Sequence, residues 1–288
     1  MRRLPASLAI TFSTYSRIPM PQVEWNEDNM RHTLSLLPLV GLVIGALYCL
    51  TDRLSALLGF SPLLRAALLT VLPVLVTGGI HLDGYCDTVD ALASHAPREK
   101  KLAILKDSSA GAFAVIWCCV WFLLTFALTA QAVSVPTVAA GFVLSRTFAA
   151  WAIQRLPSAR AGMGATLKSG SRFPWWVLTL YLLLWAALVL LWGDLIAGGA
   201  ALIVMIVFYF IYRAMALREF GGFTGDLAGW FIQVGELGLL AAVVLAERGA
   251  ALWLERCCSS ATARPRATWS GGMWAPRTCR CAPRELPP

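Results

Sequence analysis

The sequence predicts an all-α, polytopic membrane protein, a bundle of about seven transmembrane helices. Of the 288 residues, 58% are hydrophobic and only 14% are charged, whereas a soluble globular domain carries about 25% charged residues. The mean hydropathy is +0.67, and apolar segments close to the ~20 residues needed to cross a bilayer recur along the chain. These observations exclude a soluble domain and indicate one membrane-embedded domain over residues 1–250.

The chain opens with a short segment that differs from the later apolar ones. Residues Leu4 to Ile18 follow a basic start but are interrupted by Pro5 and Arg17. Such a segment lacks the features of a cleavable signal peptide. We predict an amphipathic or re-entrant helix there.

Seven longer apolar segments follow, and each is predicted to cross the membrane. Proline stands at or just before three of their starts, at Pro62, Pro136 and Pro174, where its missing N–H costs little. Gly193-Asp194 forms a minimal turn between two of them. The predicted spans are about residues 33–51, 62–80, 110–131, 136–154, 175–192, 195–212 and 230–247.

Basic residues indicate how these spans are oriented. If the N-terminus is cytoplasmic, nearly all lysines and arginines of the loops fall on the cytoplasmic side, and only Arg53 and Arg65 fall on the other. This agrees with the positive-inside rule and places every acidic motif on the cytoplasmic side. The net charge of +8 is thereby attributed to topology and phosphate binding, and the sequence shows no motif for reading nucleic acid.

Residues 251–288 differ in composition from the rest of the chain. They are rich in Arg, Pro, Cys, Ser and Thr, and with seven spans they would lie on the side that carries few basic residues. This composition predicts a disordered basic, cysteine-rich tail or a non-native end. The cysteine spacings of the whole chain do not form a zinc signature.

Three aspartates, Asp83, Asp87 and Asp90, form the most informative motif. On a helix they fall at i, i+4 and i+7, which is one face. Ionised carboxylates beside a bilayer are costly and usually mark a functional site, with an ordinary loop of solvated acids as the alternative. Because such oxygen ligands suit Mg2+ or Mn2+, the motif indicates metal-assisted chemistry on a phosphate substrate. His81, just before them, is either a ligand, a proton carrier or a surface residue.

A second motif, Lys106 to Gly111, stands at the entrance of the next span. Asp107 and Lys106 are placed to face the first cluster across a short connection. Ser108 or Ser109 is a candidate helix cap. The N–H groups of the helix start, together with Lys106, also suit phosphate oxygens, and the two interpretations are compatible.

A third motif supplies arginines. Arg146 lies within a span, and Arg155 and Arg160 precede a glycine-rich stretch that includes Gly162 and Gly164. The arginines within and at the end of the span either extend to the headgroup region or, with this loop, hold a pyrophosphate group.

A fourth motif, from Gly221 to Gly229, contains Thr224 and Asp226 at the entrance of the last span. It is either a pair of helix caps or a functional loop, which would be a second acidic site or a nucleotide contact. Glu236 lies further along the same span and is expected to face the bundle.

Taken in order, these motifs resemble the cobalamin synthase family, the adenosylcobinamide-GDP ribazoletransferases. The resemblance covers about residues 5–250 and includes the entry segment Phe12 to Pro21. Several ordered motifs together are specific, whereas any one alone would be weak. The matching parts are His81-Leu82-Asp83-Gly84 with Asp87-Thr88 and Asp90, Lys106-Asp107-Ser108, Ser145-Arg146, Arg155-Leu156-Pro157 with Ala159-Arg160, and Gly221-Gly222 with Thr224-Gly225-Asp226. Ser109-Ala110 departs from the family, in which an arginine is common at this point.

The resemblance implies a Mg2+-dependent transferase of the bacterial inner membrane. The oxygen ligands allow Mn2+ as a substitute ion, and the distribution of basic residues predicts an active site that faces the cytoplasm. Adenosylcobinamide-GDP would react with α-ribazole or α-ribazole 5'-phosphate. The products would be adenosylcobalamin, or its 5'-phosphate, and GMP.

The roles of single residues follow as hypotheses. Asp83, Asp87 and Asp107 hold one or two Mg2+ ions on the pyrophosphate, and Asp90 is either the general base or a further ligand. The other candidates bind substrate: Lys106, Arg155 and Arg160 at the leaving GMP, Thr224 and Asp226 at guanosine or the metal, and His81 and Arg146 at positions that the pattern does not specify.

Three other functions are weighed against this one. An ion-coupled transporter is disfavoured because the acids cluster near one membrane face and not at mid-span. A CDP-alcohol phosphotransferase usually carries Asp-Gly-x-x-Ala-Arg, but here Asp83-Gly84 is followed by Tyr85-Cys86-Asp87. A structural subunit would not need so many ordered polar motifs. Whether the chain forms a homo-oligomer is left open.

Overall fold

The computed structural model describes residues 3–262 apart from Ser108 and Val133. Within this part of the chain the regular structure is helical, and a single isolated bridge joins Ser158 to Phe223. The helices are α1 (Arg3–Tyr15), α2 (Glu27–Met30), α3 (Thr33–Leu57), α4 (Pro62–Thr77), α5 (Ile80–Ala93), α6 (Arg98–Ile104), α7 (Ala112–Thr129), α8 (Val135–Arg155), α9 (Met163–Gly170), α10 (Trp175–Trp192), α11 (Leu195–Met215, continued by a π-helical turn over Ala216–Phe220) and α12 (Gly225–Thr262).

Among the described residues, six helices are long and apolar enough to cross a membrane: α3, α7, α8, α10, α11 with its π-helical turn, and α12. Helices α4 and α5 together make a seventh candidate, bent by 92°. The predicted all-α, multi-pass membrane fold is therefore confirmed, and each of the seven predicted spans coincides with a helix.

The second predicted span, residues 62–80, is shorter than expected. Helix α4 ends at Thr77, because Gly78 and Gly79 both have positive φ angles, of 66° and 80°, which glycine adopts at little cost. The chain then turns and begins α5 at a steep angle to α4. The aspartate motif consequently lies on a separate helix at one end of the bundle.

Helix α8 is the centre of the bundle, and nearly all of its side chains are buried. Helix α3 packs closely along it through two glycines. A Cβ added at Gly41 would overlap the carbonyl oxygen of Phe142, and one added at Gly45 would lie 2.6 Å from the carbonyl oxygen of Ala139. Small residues at such positions allow two membrane helices to approach at backbone distance.

Parts of the first, third and fourth motifs meet at one end of this bundle. Direct hydrogen bonds join the helix ends there: the end of α1 to α4 (Arg17 N to Val76 O, 2.8 Å), the loop before α10 to the start of α3 (Arg172 N to Arg31 O, 3.0 Å), and the loop after α8 to the start of α12 (Ala159 N to Phe223 O, 2.9 Å). Stretches that are far apart in the sequence are therefore held together at this end of the bundle.

The first segment of the chain forms a helix, as predicted, whereas the last helix continues into the predicted tail. The segment Leu4 to Ile18 contains helix α1, as predicted, and its Ser7 hydroxyl donates to the carbonyl of Asn29 at 2.6 Å. At the other end, α12 continues through Thr262, into the segment that composition assigns to a tail. Residues 263–288 lie outside the described part of the structure.

Candidate active site

A cavity of about 320 Å³ lies where the motifs meet. Its walls come from α1, α3, α5, the end of α8 with the loop that follows it, α9 and the start of α12. Five of the sequence-predicted site residues line it: His81, Asp83, Arg160, Thr224 and Asp226.

Two glycines bring α5 and α12 together at this cavity. A Cβ added at Gly84 would lie 2.7 Å from the carbonyl oxygen of Asp226, and one added at Gly229 would lie 2.9 Å from the carbonyl oxygen of His81. The helices therefore cross at backbone contact. Asp83 on α5 and Asp226 on α12 consequently line the same cavity.

Carboxylates are concentrated at this crossing. Asp87 is half-buried on α5, and the charged groups that act on it are Asp83, Asp226, Asp90 and the guanidinium of Arg160. Because four carboxylates share one arginine, the cluster carries excess negative charge, which favours a cation among them.

Arg160 is the cationic group of the site. Its Nη2 donates to Asp226 Oδ2 at 2.7 Å and to the carbonyl of Leu105 at 3.2 Å. Its Nη1 is buried and has no hydrogen-bond partner among the described residues. A fixed guanidinium with one donor nitrogen to spare is suited to an oxyanion.

The third and fourth motifs form one structural unit. Phe223 N donates to Pro157 O at 2.8 Å and Ala159 N donates to Phe223 O at 2.9 Å. This pairing requires glycine at 222, since a Cβ there would overlap the carbonyl of Pro157. The pairing fixes Arg160 opposite the start of α12, where Thr224 Oγ1 accepts from Leu227 N at 3.2 Å as the helix cap.

Asp90 has a structural role that the sequence interpretation did not give it. Its Oδ2 accepts from Gly111 N at 2.6 Å and its Oδ1 accepts from Ala114 N at 2.9 Å. Both oxygens therefore cap the N-terminus of α7, an arrangement that stabilises a helix. The expected roles of general base or metal ligand stay predictions, and the capping bonds occupy one acceptor position on each oxygen.

The Arg146 side chain also has a partner inside the protein. It is buried within α8 and forms an ion pair with Glu236 of α12, which in turn accepts from Ser145 Oγ at 2.8 Å. Glu236 faces the bundle as expected, but the expectation that Arg146 binds substrate is not supported, because its charge is already balanced inside the bundle. The guanidinium of Arg155 stacks on Trp151 at 4.1 Å from the ring centre.

The second motif lies on the surface, away from the cavity wall. Lys106 and Asp107 are exposed, and neither is among the residues that line the cavity. Hydrogen bonds from the hydroxyl and the N–H of Ser109 lower the pKa of Asp107. Ser108, the other candidate cap, lies outside the described residues.

The expected metal ligands are not brought together as a finished cage. Among the described residues, no three side chains of His, Cys, Asp or Glu are close enough together to hold a metal ion by themselves. Asp83 and Asp226 are carboxylates of the cavity lining, and Asp87 is close enough to both to feel their charge.

Sequence reasoning missed one side of the site. Tyr15 of α1 and Leu34 and Leu37 of α3 line the cavity, and the Tyr15 ring stacks on His81 with the ring centres 6.0 Å apart. These residues carry no charge, and Leu34 and Leu37 lie in a segment that is typical of an ordinary membrane span. The signal was that Phe12 to Pro21 and Leu37 to Gly41 both belong to the family resemblance.

Comparison with known proteins agrees with the motif order. A family model described as cobalamin-5-phosphate synthase matches residues 7–244. The chain is 40% identical over 250 residues to an adenosylcobinamide-GDP ribazoletransferase of Lachnoclostridium phytofermentans, covering 84% of this chain and 94% of the relative. Proteins with the same name from Desulfitobacterium hafniense (36% identity, 80% and 92% covered) and Listeria monocytogenes (33%, 83% and 97%) are also similar. No solved structure gives a significant match.

Proposed function

The chain belongs to the cobalamin-5-phosphate synthase family, and we propose that it acts as an adenosylcobinamide-GDP ribazoletransferase in cobalamin synthesis. A hydroxyl of α-ribazole, or of its 5'-phosphate, attacks the corrinoid-side phosphorus of the GDP group. A new P–O bond forms, the P–O bond to GMP breaks, and the proton of the hydroxyl passes to a base. The observation that carries the proposal is the cavity in which Asp83, Asp226 and the partly unpaired Arg160 meet.

The donor set of this cavity fits Mg2+, with Mn2+ as a substitute. Mg2+ in phosphate-transfer sites is held by one or two carboxylates together with substrate phosphates, so a closed protein cage is not required. We assign the ion to one or two of the carboxylates Asp83, Asp87 and Asp226, with substrate phosphates as its further ligands, and Asp226 takes the place that the sequence interpretation gave to Asp107. When bound, the ion neutralises phosphate charge as the P–O bonds exchange.

The chain's own residues orient the pyrophosphate and the leaving group. Asp226 holds one side of the Arg160 guanidinium at 2.7 Å, which leaves Nη1 directed to a phosphate oxygen. Phosphoryl transfer depends mainly on such positioning and charge stabilisation. The base is the carboxylate of the Asp83–Asp87 pair that does not hold the ion, because both oxygens of Asp90 already accept N–H groups.

We place the protein in the bacterial inner membrane with this cavity facing the cytoplasm, where the GDP-linked substrate is available. The support is the distribution of basic residues, which the positive-inside rule assigns to the cytoplasmic side. Arg31, Arg98, Lys100 and Arg172, all exposed, lie in the segments at the cavity's end of the bundle.

The proposal is tested by GMP release. Purified protein in detergent or nanodiscs is incubated with adenosylcobinamide-GDP and α-ribazole, with Mg2+ or with a chelator. We expect GMP and the cobalamin product with Mg2+, none with the chelator, and recovery when Mg2+ or Mn2+ is restored. Absence of GMP from well-folded protein supplied with both substrates and Mg2+ would contradict the proposed activity, and full activity in chelator would contradict the metal.

A further inference from the structure

The cavity has a polar end and an apolar end. Asp226, Gly229 and Ile232 line it from successive turns of one face of α12, so Ile232 lies about 9 Å further into the bundle than Asp226, at 1.5 Å per residue. Leu34 and Leu37 of α3 and Ile153 of α8 also line the cavity and are buried. The charged groups stand at the start of α12, Ile232 gives the cavity an apolar wall deeper in the bundle, and Leu34, Leu37 and Ile153 add apolar lining.

His81 lies between the two ends. Its backbone packs against Gly229, halfway between Asp226 and Ile232 in sequence. The side chain is 3% exposed, and its Nε2 has no hydrogen-bond partner in the part of the chain that the structure describes. A buried polar atom left without a partner costs about 1–3 kcal/mol, so an atom of this kind on a residue that lines the cavity points to a ligand.

We propose, resting on the function proposed above, that the apolar end binds the base of the nucleoside substrate and that His81 Nε2 donates to its free ring nitrogen. The base of α-ribazole is a dimethylated benzimidazole, flat and apolar, with one ring nitrogen unsubstituted. One polar atom within an apolar wall matches that pattern. The ribose then extends toward Asp83 and Asp226, where the attacking hydroxyl is needed.

The competing occupant is the guanine of the GDP-linked substrate. Guanine presents several donors and acceptors, and burying them against Leu34, Leu37 and Ile232 would leave most of them unpaired, which is costly. The corrin ring of the GDP-linked substrate is the remaining candidate, and its size excludes it. Pockets of about 300–1,000 Å³ hold drug-sized ligands. A cavity of about 320 Å³ holds a nucleoside, whereas the corrin ring with its side chains stays outside.

His81→Phe is the direct test, because it keeps a flat ring of similar size and removes the donor. We expect KM for α-ribazole to rise at least about tenfold, the loss of one hydrogen bond, while KM for adenosylcobinamide-GDP stays within about twofold. His32→Phe is the matched control, since His32 precedes α3 without a side-chain cap bond and does not line the cavity.

A second variant tests the shape of the apolar end without depending on His81. Leu37→Phe adds volume to the cavity wall and should lower kcat/KM for the dimethylated nucleoside more than for the unsubstituted benzimidazole nucleoside. Unchanged KM for α-ribazole in His81→Phe, or a rise only for the GDP-linked substrate, would overturn the proposal and leave the enzyme activity intact. Failure of the wild-type protein to release GMP would instead overturn the function itself.

Discussion

The backbone of Asp226 lies directly against Gly84, so that a Cβ on Gly84 would stand 2.7 Å from the Asp226 carbonyl oxygen and 2.8 Å from its Cα. Real Cβ atoms do not approach backbone atoms this closely. The glycine in the aspartate motif therefore sets the distance between the two acidic helices, and the carboxylates of the site depend on that distance.

Gly84→Ala should consequently separate α5 from α12. Overpacking of this kind typically costs about 1–3 kcal/mol, and we expect both a lower unfolding temperature in detergent and a loss of GMP release. Gly199→Ala is the matched control, because nothing lies within 4 Å of a Cβ at this helical position. Thermal unfolding and turnover of the two variants, measured side by side, check the prediction, and wild-type behaviour of Gly84→Ala would contradict it.

Asp87 and Asp90 lie nearly one turn apart on α5 but have different surroundings, so the same substitution should separate their roles. Asp87→Asn removes a charge from the carboxylate cluster and should reduce turnover at least about a thousandfold with little effect on stability. Asp90→Asn replaces one of the two acceptor oxygens that cap α7 and should cost about 1–2 kcal/mol of stability while most turnover remains.

The measurement for this pair is kcat together with the unfolding temperature of each variant. If Asp90→Asn loses turnover as completely as Asp87→Asn and unfolds like the wild type, Asp90 is a chemical participant and the capping interpretation is wrong.

Arg160 and Arg155 form a second informative pair. Arg160→Ala removes the buried Nη1 donor and should raise KM for adenosylcobinamide-GDP by about 10- to 100-fold, the range for hydrogen bonds to charged groups. Arg155→Ala removes a guanidinium that stacks on Trp151 outside the cavity lining, and KM should change less than about twofold. Steady-state kinetics with varied GDP-linked substrate distinguishes them, and equal effects would remove Arg160 from the phosphate site.

The fold could be predicted well from the sequence because each membrane helix is specified by the apolar residues of its own segment. Residues 175–192 and 195–212 are apolar over a bilayer's length, and a turn of Gly193-Asp194 separates them, so no tertiary information was needed. The end of α4 was harder, because Gly78 and Gly79 read equally as residues of a span or as a turn. Their positive φ angles are a tertiary outcome that hydropathy does not encode.

The site could be predicted only in part, for a related reason. Charged residues in apolar surroundings stand out, so Asp83, Arg160 and Asp226 were found. Whether a charge faces a cavity or another charge depends on the helix that packs beside it, which no spacing rule reveals. Arg146 and Asp90 were for this reason assigned to chemistry, although Arg146 pairs with Glu236 and Asp90 caps the start of α7.

The Arg146–Glu236 ion pair should therefore affect the free energy of unfolding and not the binding of substrate. Removing one partner, by Arg146→Met or Glu236→Leu, leaves a buried charge uncompensated and should destabilise the protein by about 3–5 kcal/mol. The double variant removes both charges and should recover much of that loss, since replacing a buried pair by apolar residues is often nearly neutral. A double-mutant cycle of unfolding free energies in detergent measures the coupling. Losses that simply add, or a raised KM for the GDP-linked substrate in the stable double variant, would return Arg146 to the substrate site.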